Sequence, residues 1–382
     1  MENEPQGFMG CTQGLGLRDG GDDFALVYAD GSTTSAAMFT QSRFAGPSVT
    51  LSRGEDLAAF RGVAVLSKNA NVATGAEGAD NAVEVRRRAA TLAGCEPRQI
   101  LIASTGVIGV QYPMPVMRER LDRIQRPLPA ADFAAAARAI MTTDTVTKIQ
   151  TRPCGPASIT GIAKGVGMIE PNMATMLCFF FTDAEVPAPE LKAIFARVVE
   201  RTFNAVSIDT DTSTSDTACI IANGLAGPVD LVEFERALYD AALALVRSIA
   251  ADGEGASKLI EVRVTGARDD AQAKRVGKTV VNSPLVKTAI HGADPNWGRI
   301  TMAIGKCEDD LDVVPEKVEI GFGGTTVYPR EVDAGVLQNL RKYLSGSEVI
   351  INIALGIADG AFVVYGCDLT EGYIRTNADY TT

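Results

Sequence analysis

Histidine is nearly absent from the sequence: the 382 residues contain one, His291, and one tryptophan, Trp297. A Ser-His-Asp or Cys-His relay would have to be built on His291 alone. The seven cysteines (Cys11, Cys95, Cys154, Cys178, Cys219, Cys307 and Cys367) are scattered, odd in number and form no CxxC pair. That pattern argues against a disulfide framework and for reduced thiols in a cytoplasm. With one histidine and no ligand spacing, a zinc site is not expected, and no metal or other cofactor is implied.

Basic residues are outnumbered: 36 Lys and Arg stand against 47 Asp and Glu, a net charge of −11 and a pI near 4.8. Nucleic acid and anionic membrane surfaces demand the opposite balance. No run approaches 18 uninterrupted apolar residues, so no membrane span is expected. The longest candidate, around Ala241 to Ile249, is too short and sits in an amphipathic helix. Met1 to Gly10 carries Glu2 and Glu4 and lacks the apolar stretch of a secretory signal.

Hydrophobic residues make up 46% and charged residues 22%, the composition of a globular chain with a sizeable core. The length fits two domains or one two-lobed unit. Strand-like runs include Phe24 to Tyr28, Gly62 to Leu66, Ile100 to Ser104, Met176 to Phe181, Leu259 to Val264, Val349 to Leu355 and Ala361 to Tyr365. Amphipathic helices are expected from Pro189, from Asp230 to the glycines at 253 and 255, and over Asp333 to Leu344. Interleaved strands and helices place the chain in the α/β or α+β class. The turn formers from Arg152 to Pro156 are too few for a flexible interdomain linker.

Several segments fit chemistry better than packing. Ser104 to Gly109 follows a strand and sets a hydroxyl beside two glycines, whose backbones can approach a ligand closely. Gly161 to Thr175 flanks Lys164 with glycines, yet it is not a P-loop, because Gly-x-x-x-x-Gly-Lys-Ser/Thr is missing. Ser207 to Thr217 alternates acids and hydroxyls but lacks the glycine and terminal glutamate of an EF-hand. As structure alone, the three would be a strand-end turn, a threonine cap and an Asx- and Ser/Thr-bonded turn. Asp294 to Arg299 holds the tryptophan, and Glu371 to Thr382 ends the chain in an aromatic and polar pattern.

Taken together these segments resemble the ornithine acetyltransferase (glutamate N-acetyltransferase) family. The stretches are STGVIG at 104–109, TTDT at 142–145, IAKGVGMIEPNMATML at 162–177, DTDTSTSDT at 209–217, DGEGASK at 252–258, DPNWGR at 294–299 and NADYTT at 377–382. They span nearly the whole chain in the family's order. The actinobacterial type associated with clavulanic acid biosynthesis is the nearest in kind.

The resemblance implies a mechanism. The precursor would cut itself between Ala174 and Thr175, leaving an α chain of residues 1–174 and a β chain of 175–382. Thr175 would then be an N-terminal nucleophile. An α-amine titrates near about 7.7–8.0 and can take the hydroxyl proton, so no histidine is needed. Thr105 and Gly106 would form the oxyanion hole. Thr142, Lys164, Glu254, Asn377 and Thr382, with Thr175 itself, would bind substrate. Charge assigns Lys164 to the substrate α-carboxylate and Glu254 to the ornithine side-chain ammonium.

The implied reaction is ping-pong acetyl transfer from N-acetylornithine to glutamate. Acetyl-CoA as an additional donor, hydrolysis by an amidase- or aminopeptidase-like relative, and a non-enzymatic binding protein are the alternatives. The implied fold is an α/β sandwich of stacked sheets flanked by helices, with a smaller second lobe and two intertwined fragments in an α2β2 assembly. The chain departs from many arginine-pathway members at Glu170, where they carry a histidine, and at Thr210-Asp211, where they read Gly-Asp. His291 is expected at the surface or in a structural role.

Overall fold

The computed structural model describes residues 4–17, 20–170 and 176–379. Ala174, Thr175 and Thr382 therefore lie outside the described residues. The chain runs β1 (Phe8–Gln13), β2 (Phe24–Ala29), β3 (Thr34–Phe39), α1 (Pro47–Arg53), β4 (Gly62–Leu66), α2 (Gly75–Ala93), β5 (Ile100–Ser104), α3 (Met114–Asp122) and α4 (Phe133–Ala139). It continues through β6 (Lys148–Cys154), β7 (Ala157–Lys164), β8 (Leu177–Glu185), α5 (Ala188–Arg201), β9 (Thr217–Pro228) and α6 (Leu231–Ala251). The rest is β10 (Leu259–Ala267), α7 (Asp270–Val281), α8 (Pro284–His291), α9 (Trp297–Ile304), β11 (Glu319–Phe322), β12 (Thr325–Tyr328), α10 (Ala334–Leu344), β13 (Glu348–Ala354), β14 (Gly360–Cys367) and α11 (Glu371–Asp379).

Three sheets result, in the orders β1-β2-β4-β5, β3-β9-β8-β7-β6 and β12-β11-β13-β10-β14. β8 shows why the first two stack. Its apolar run is buried on both faces, as a strand between two layers must be. Leu177, Phe179 and Phe181 join a core with Val27, Val63, Val65 and Leu101 of the first sheet. Cys178 and Phe180 point the other way, onto Leu191, Phe195, Leu238 and Leu245 of α5 and α6. The outer face of the first sheet is covered by Val85 and Ala89 of α2 and Met117 and Leu121 of α3. The order is thus helix, sheet, sheet, helix. The rings of Phe8, Phe133 and Phe181, with centroids 5.2–6.1 Å apart, tie β1, α4 and β8 together inside the sandwich.

The third sheet and α7 to α10 make the second lobe, continuous with the core on the α6 side. Its β10 pairs parallel with β13 and antiparallel with β14. Several helix starts carry side-chain caps. Asp230 accepts from Val232 and Glu233 N–H, and Asp333 accepts from Val336 N–H. The turn after Arg152 proves to be the hairpin joining β6 to β7 within one sheet.

Candidate active site

The ends of the two stacked sheets converge on one place. β5 delivers Thr105, β7 ends at Lys164, β8 opens after Met176 and β9 opens after Asp216. Thr105, Lys164, Gly165, Gly167, Met176 and Asp216 line a common small cavity of about 20 Å³, along with Met168, Leu177, Ser213 and Ser215. Ladder pairing fixes this convergence. Lys164 lies opposite Leu177 on the antiparallel β7–β8 pair, and Leu177 opposite Thr217 on the parallel β8–β9 pair.

Thr105 is buried, and the Lys164 ammonium donates to its hydroxyl at 3.3 Å. Thr105 N–H bonds to the Leu66 carbonyl, and Val107 N–H to that of Lys68. Between them Gly106 sits at φ +131°, and a Cβ there would lie 2.1 Å from the Lys68 carbonyl carbon. Only glycine lets these backbones touch. A hydroxyl polarised by a buried cation, beside a close-packed backbone, suits a developing oxyanion.

Burial pulls the Lys164 ammonium below its ordinary range, while Asp144 and Asp216 pull it back up. Burial would raise Asp144, but Lys164, Lys148 and the Gly165 N–H hold that carboxyl below its usual value. Asp216 goes the other way. Burial pushes its carboxyl well above the usual range, more than the Ser213 hydrogen bond and Lys164 lower it. Burial therefore works against the charged form of both Lys164 and Asp216 in this pocket.

Across the site, Glu254 N–H bonds to the Val166 carbonyl at 2.8 Å. Its carboxylate accepts from the Thr143 hydroxyl and the Asn377 amide, each at 2.9 Å. A Cβ on Gly167 would come within 2.5 Å of the same carboxylate. Asn377 is exposed on α11, which packs on the glycine loop through Thr370 and the Gly255 carbonyl. Thr142 joins through its backbone: its N–H donates to Asp144 at 3.1 Å and its carbonyl accepts from Lys68 at 2.9 Å. Of the residues expected from the resemblance, the described ones (Thr105, Gly106, Thr142, Lys164, Glu254 and Asn377) thus form one connected neighbourhood.

Asp209 opens the stretch at 209–217, but the sequence alone assigns it no role of its own. Its carboxylate accepts from Met168 and Ile169 N–H at 2.7 and 2.8 Å and from the Tyr373 hydroxyl at 3.4 Å. It fixes the backbone leaving β7 and the start of α11 together. The next residue, Thr210, has φ +70°. A β-branched residue is strained in this region. Glu170, the other departure, pairs with Lys278 at 3.3 Å and accepts from Asn282 at 3.0 Å. A carboxylate is the matching partner for a buried lysine.

His291 is half-exposed, with Nδ1 2.9 Å from Asp368, a carboxylate that also accepts from Ser257. Serine and acid both sit at Nδ1, unlike a proton relay in which they occupy opposite ring nitrogens. Trp297 stacks on Tyr328 at 5.0 Å, and Arg299 bonds the Leu285 carbonyl and the Thr288 hydroxyl, pinning α9 to α8. Both belong to the architecture of the second lobe. Among the described residues no group of three or more His, Cys, Asp or Glu could hold a metal ion. Nor is any helix among them long and apolar enough to cross a membrane.

Fold and site together define a layered α/β protein whose pocket sets the Thr105 hydroxyl against the Lys164 ammonium. The chain belongs to the ArgJ family, whose model matches residues 10–382. It is 60% identical to glutamate N-acetyltransferase Oat2 of Streptomyces clavuligerus, over 99% of this chain and 98% of that protein. It is 55% identical to the arginine biosynthesis bifunctional protein ArgJ of Rhodococcoides fascians, over 99% of this chain and 94% of the relative. The crystal structure of ArgJ from Bacillus halodurans shares 39% identity, with 52% of this chain and 96% of that one covered and a TM-score of 0.49.

Proposed function

We propose that this chain is a glutamate N-acetyltransferase that moves an acetyl group from N-acetylornithine to glutamate. The observation that carries the reading is the meeting of Thr105 and Lys164 at one pocket, with Glu254 behind its lining residue Gly167, in a member of the ArgJ family. An α-amino acid offers a carboxylate to Lys164, and ornithine adds a side-chain ammonium for Glu254. Thr105 and the Gly106 N–H would serve the oxyanion.

The nucleophile in this reading is Thr175. Its hydroxyl attacks the Ala174 carbonyl carbon, the amide C–N bond breaks, and the nitrogen leaves as the Thr175 α-amine. Water then hydrolyses the ester to free the Ala174 carboxylate. In turnover the α-amine takes the Thr175 hydroxyl proton as oxygen attacks the acetyl carbon. It returns that proton to departing ornithine. The glutamate amine next attacks the acetyl ester, and Thr175 recovers its proton. Splitting one amide exchange in two gives ping-pong kinetics. The units are an α chain, 1–174, and a β chain, 175–382, paired as α2β2 in the cytoplasm.

Denaturing mass spectrometry of freshly purified protein tests this directly. Two fragments are expected in place of the intact 40.3 kDa chain, and Thr175→Ala should abolish both cleavage and transfer. An intact wild type that transfers acetyl groups would overturn the α-amine mechanism. Release of acetate in preference to transfer would favour the hydrolytic alternative. A second reading has one observation behind it: the Rhodococcoides relative is named bifunctional. N-acetylglutamate formation from acetyl-CoA at a rate near that from N-acetylornithine would establish a second donor.

A further inference from the structure

Lys148 opens β6 with its side chain fully buried, and the transfer reading gives it no task. Its ammonium lies 2.7 Å from Asp144 and 2.6 Å from Asp252. Both carboxylates are buried as well. They come from different loops, one carrying Thr142 and the other Glu254.

Each carboxylate reaches onward. Asp144 Oδ1, which faces Lys148, also accepts from Gly165 N–H at 2.8 Å, directly after Lys164. Asp144 Oδ2 accepts from Thr142 N–H at 3.1 Å. Asp252 accepts from Thr145 N–H at 3.1 Å and from the Thr145 hydroxyl, drawing the 142–145 loop onto the glutamate loop. One ammonium thus joins the three backbone segments that present Thr142, Lys164 and Glu254.

A buried ion network is an inefficient way to hold loops together. Desolvation offsets much of its attraction, and packed apolar side chains would serve as well. The charge arithmetic points to the site instead. One lysine between two acids leaves an excess negative charge, and Asp144 also feels the charge of Lys164. Without Lys148, Asp144 would turn to Lys164 and compete with a substrate carboxylate.

We propose that Lys148 is a positioning residue for acetyl transfer: through Asp144 and Asp252 it fixes the loops that carry Thr142, Lys164 and Glu254, and it leaves Lys164 available to the substrate carboxylate. This rests on the transfer reading above, and the test separates the two. Initial rates with N-acetylornithine and glutamate are measured for the wild type, Lys148→Met, Asp252→Asn, Lys148→Met/Asp252→Asn and Thr145→Val.

Lys148→Met should raise KM for both amino acids on the order of ten- to a hundredfold, with kcat changed by less than roughly threefold, because binding groups and not the reacting atoms are displaced. Removing the surplus charge in the double variant should restore at least about threefold of that loss, the non-additivity expected of a shared network. Thr145→Val leaves every charge in place and should raise KM by roughly two- to fivefold through the loss of one hydrogen bond.

Unchanged KM in a folded Lys148→Met enzyme overturns the proposal, as does a fall in kcat at constant KM. If Lys148→Met does not fold, Thr145→Val and Asp252→Asn decide it, and unchanged KM in both is fatal. If the wild type transfers no acetyl group, the functional reading fails on its own. Calorimetric titration with ornithine then tests the clamp, which requires weaker binding in the variants than in the wild type.

Discussion

Gly167→Ala isolates the part played by Glu254. Gly167 does not occupy the left-handed region, so alanine is free of backbone strain there. The added methyl would sit 2.5 Å from the Glu254 carboxyl carbon and one of its oxygens, where ordinary contact begins at 3.4 Å. The carboxylate must retreat by about 0.9 Å. It is the far end of a flexible side chain, so folding should tolerate the move. The hydrogen bonds from Thr143 and Asn377, now 2.9 Å each, would stretch past bonding distance if their donors stay in place.

A misplaced carboxylate loses its alignment with a substrate ammonium, a charge-assisted contact worth about 1.5–3 kcal/mol. At about 1.4 kcal/mol per tenfold, KM for N-acetylornithine should rise on the order of ten- to a hundredfold. Glutamate carries no side-chain cation, so its KM should change by less than about threefold, that term being absent. The assay is a two-substrate initial-rate matrix, with circular dichroism to establish folding. Equal increases for the two amino acids, or no increase for either, would refute the assignment of Glu254 to the ornithine ammonium.

Thr105→Ala should lower kcat by roughly 10²–10³ with KM nearly constant, as when one oxyanion donor is lost; single-turnover acetylation reads this directly. Phe180→Ala, at a fully buried site 6.1–6.3 Å from Phe203 and Phe195, should cost about 3–5 kcal/mol in urea unfolding. Burial, against the pull of Glu170, lowers the Lys278 ammonium from 10.5 to about 8. The folded protein therefore sheds this proton first as pH rises, and the wild type should gain stability over Lys278→Met between about pH 8 and 10.5. At about 1.4 kcal/mol per tenfold in proton affinity, the gain approaches roughly 3 kcal/mol. Parallel unfolding midpoints for the two proteins across that window would count against it.

What could be read from the sequence tracks how local its cause is. Gly62 to Leu66 and Ile100 to Ser104 match β4 and β5 residue for residue, because each is a short apolar run closed by turn formers. β8 extends beyond the expected Phe181 to Glu185, since Thr182 pairs with β7 and β9, and Ala184 and Glu185 pair with β9. β6, KIQTRPC, has almost no apolar signature and becomes a strand through its antiparallel register with β7. The same division holds in the site. Thr105, Lys164 and Glu254 stand in stretches that read as motifs. Asp144 and Asp252 also stand in such stretches, but Lys148 lies outside them and would pass for a solvated charge until the fold buries it against both acids.

The sheet orders also explain how a cut between Ala174 and Thr175 is compatible with an intact site. In the central sheet β3, β7 and β6 precede that bond, while β9 and β8 follow it. The order β3-β9-β8-β7-β6 therefore seats the later pair between strands of the earlier segment. Six register pairs join β3 to β9 and six join β7 to β8. Pulling the pieces apart would break both ladders and expose Phe179 and Phe181 from the sandwich core. The hydrogen bonds between Glu254 and Thr143, and between Asp252 and Thr145, cross the same divide. The cleavage proposed above would release an amine to act as base, in a chain with one histidine to offer, while noncovalent pairing across these ladders would keep the described pocket residues in register.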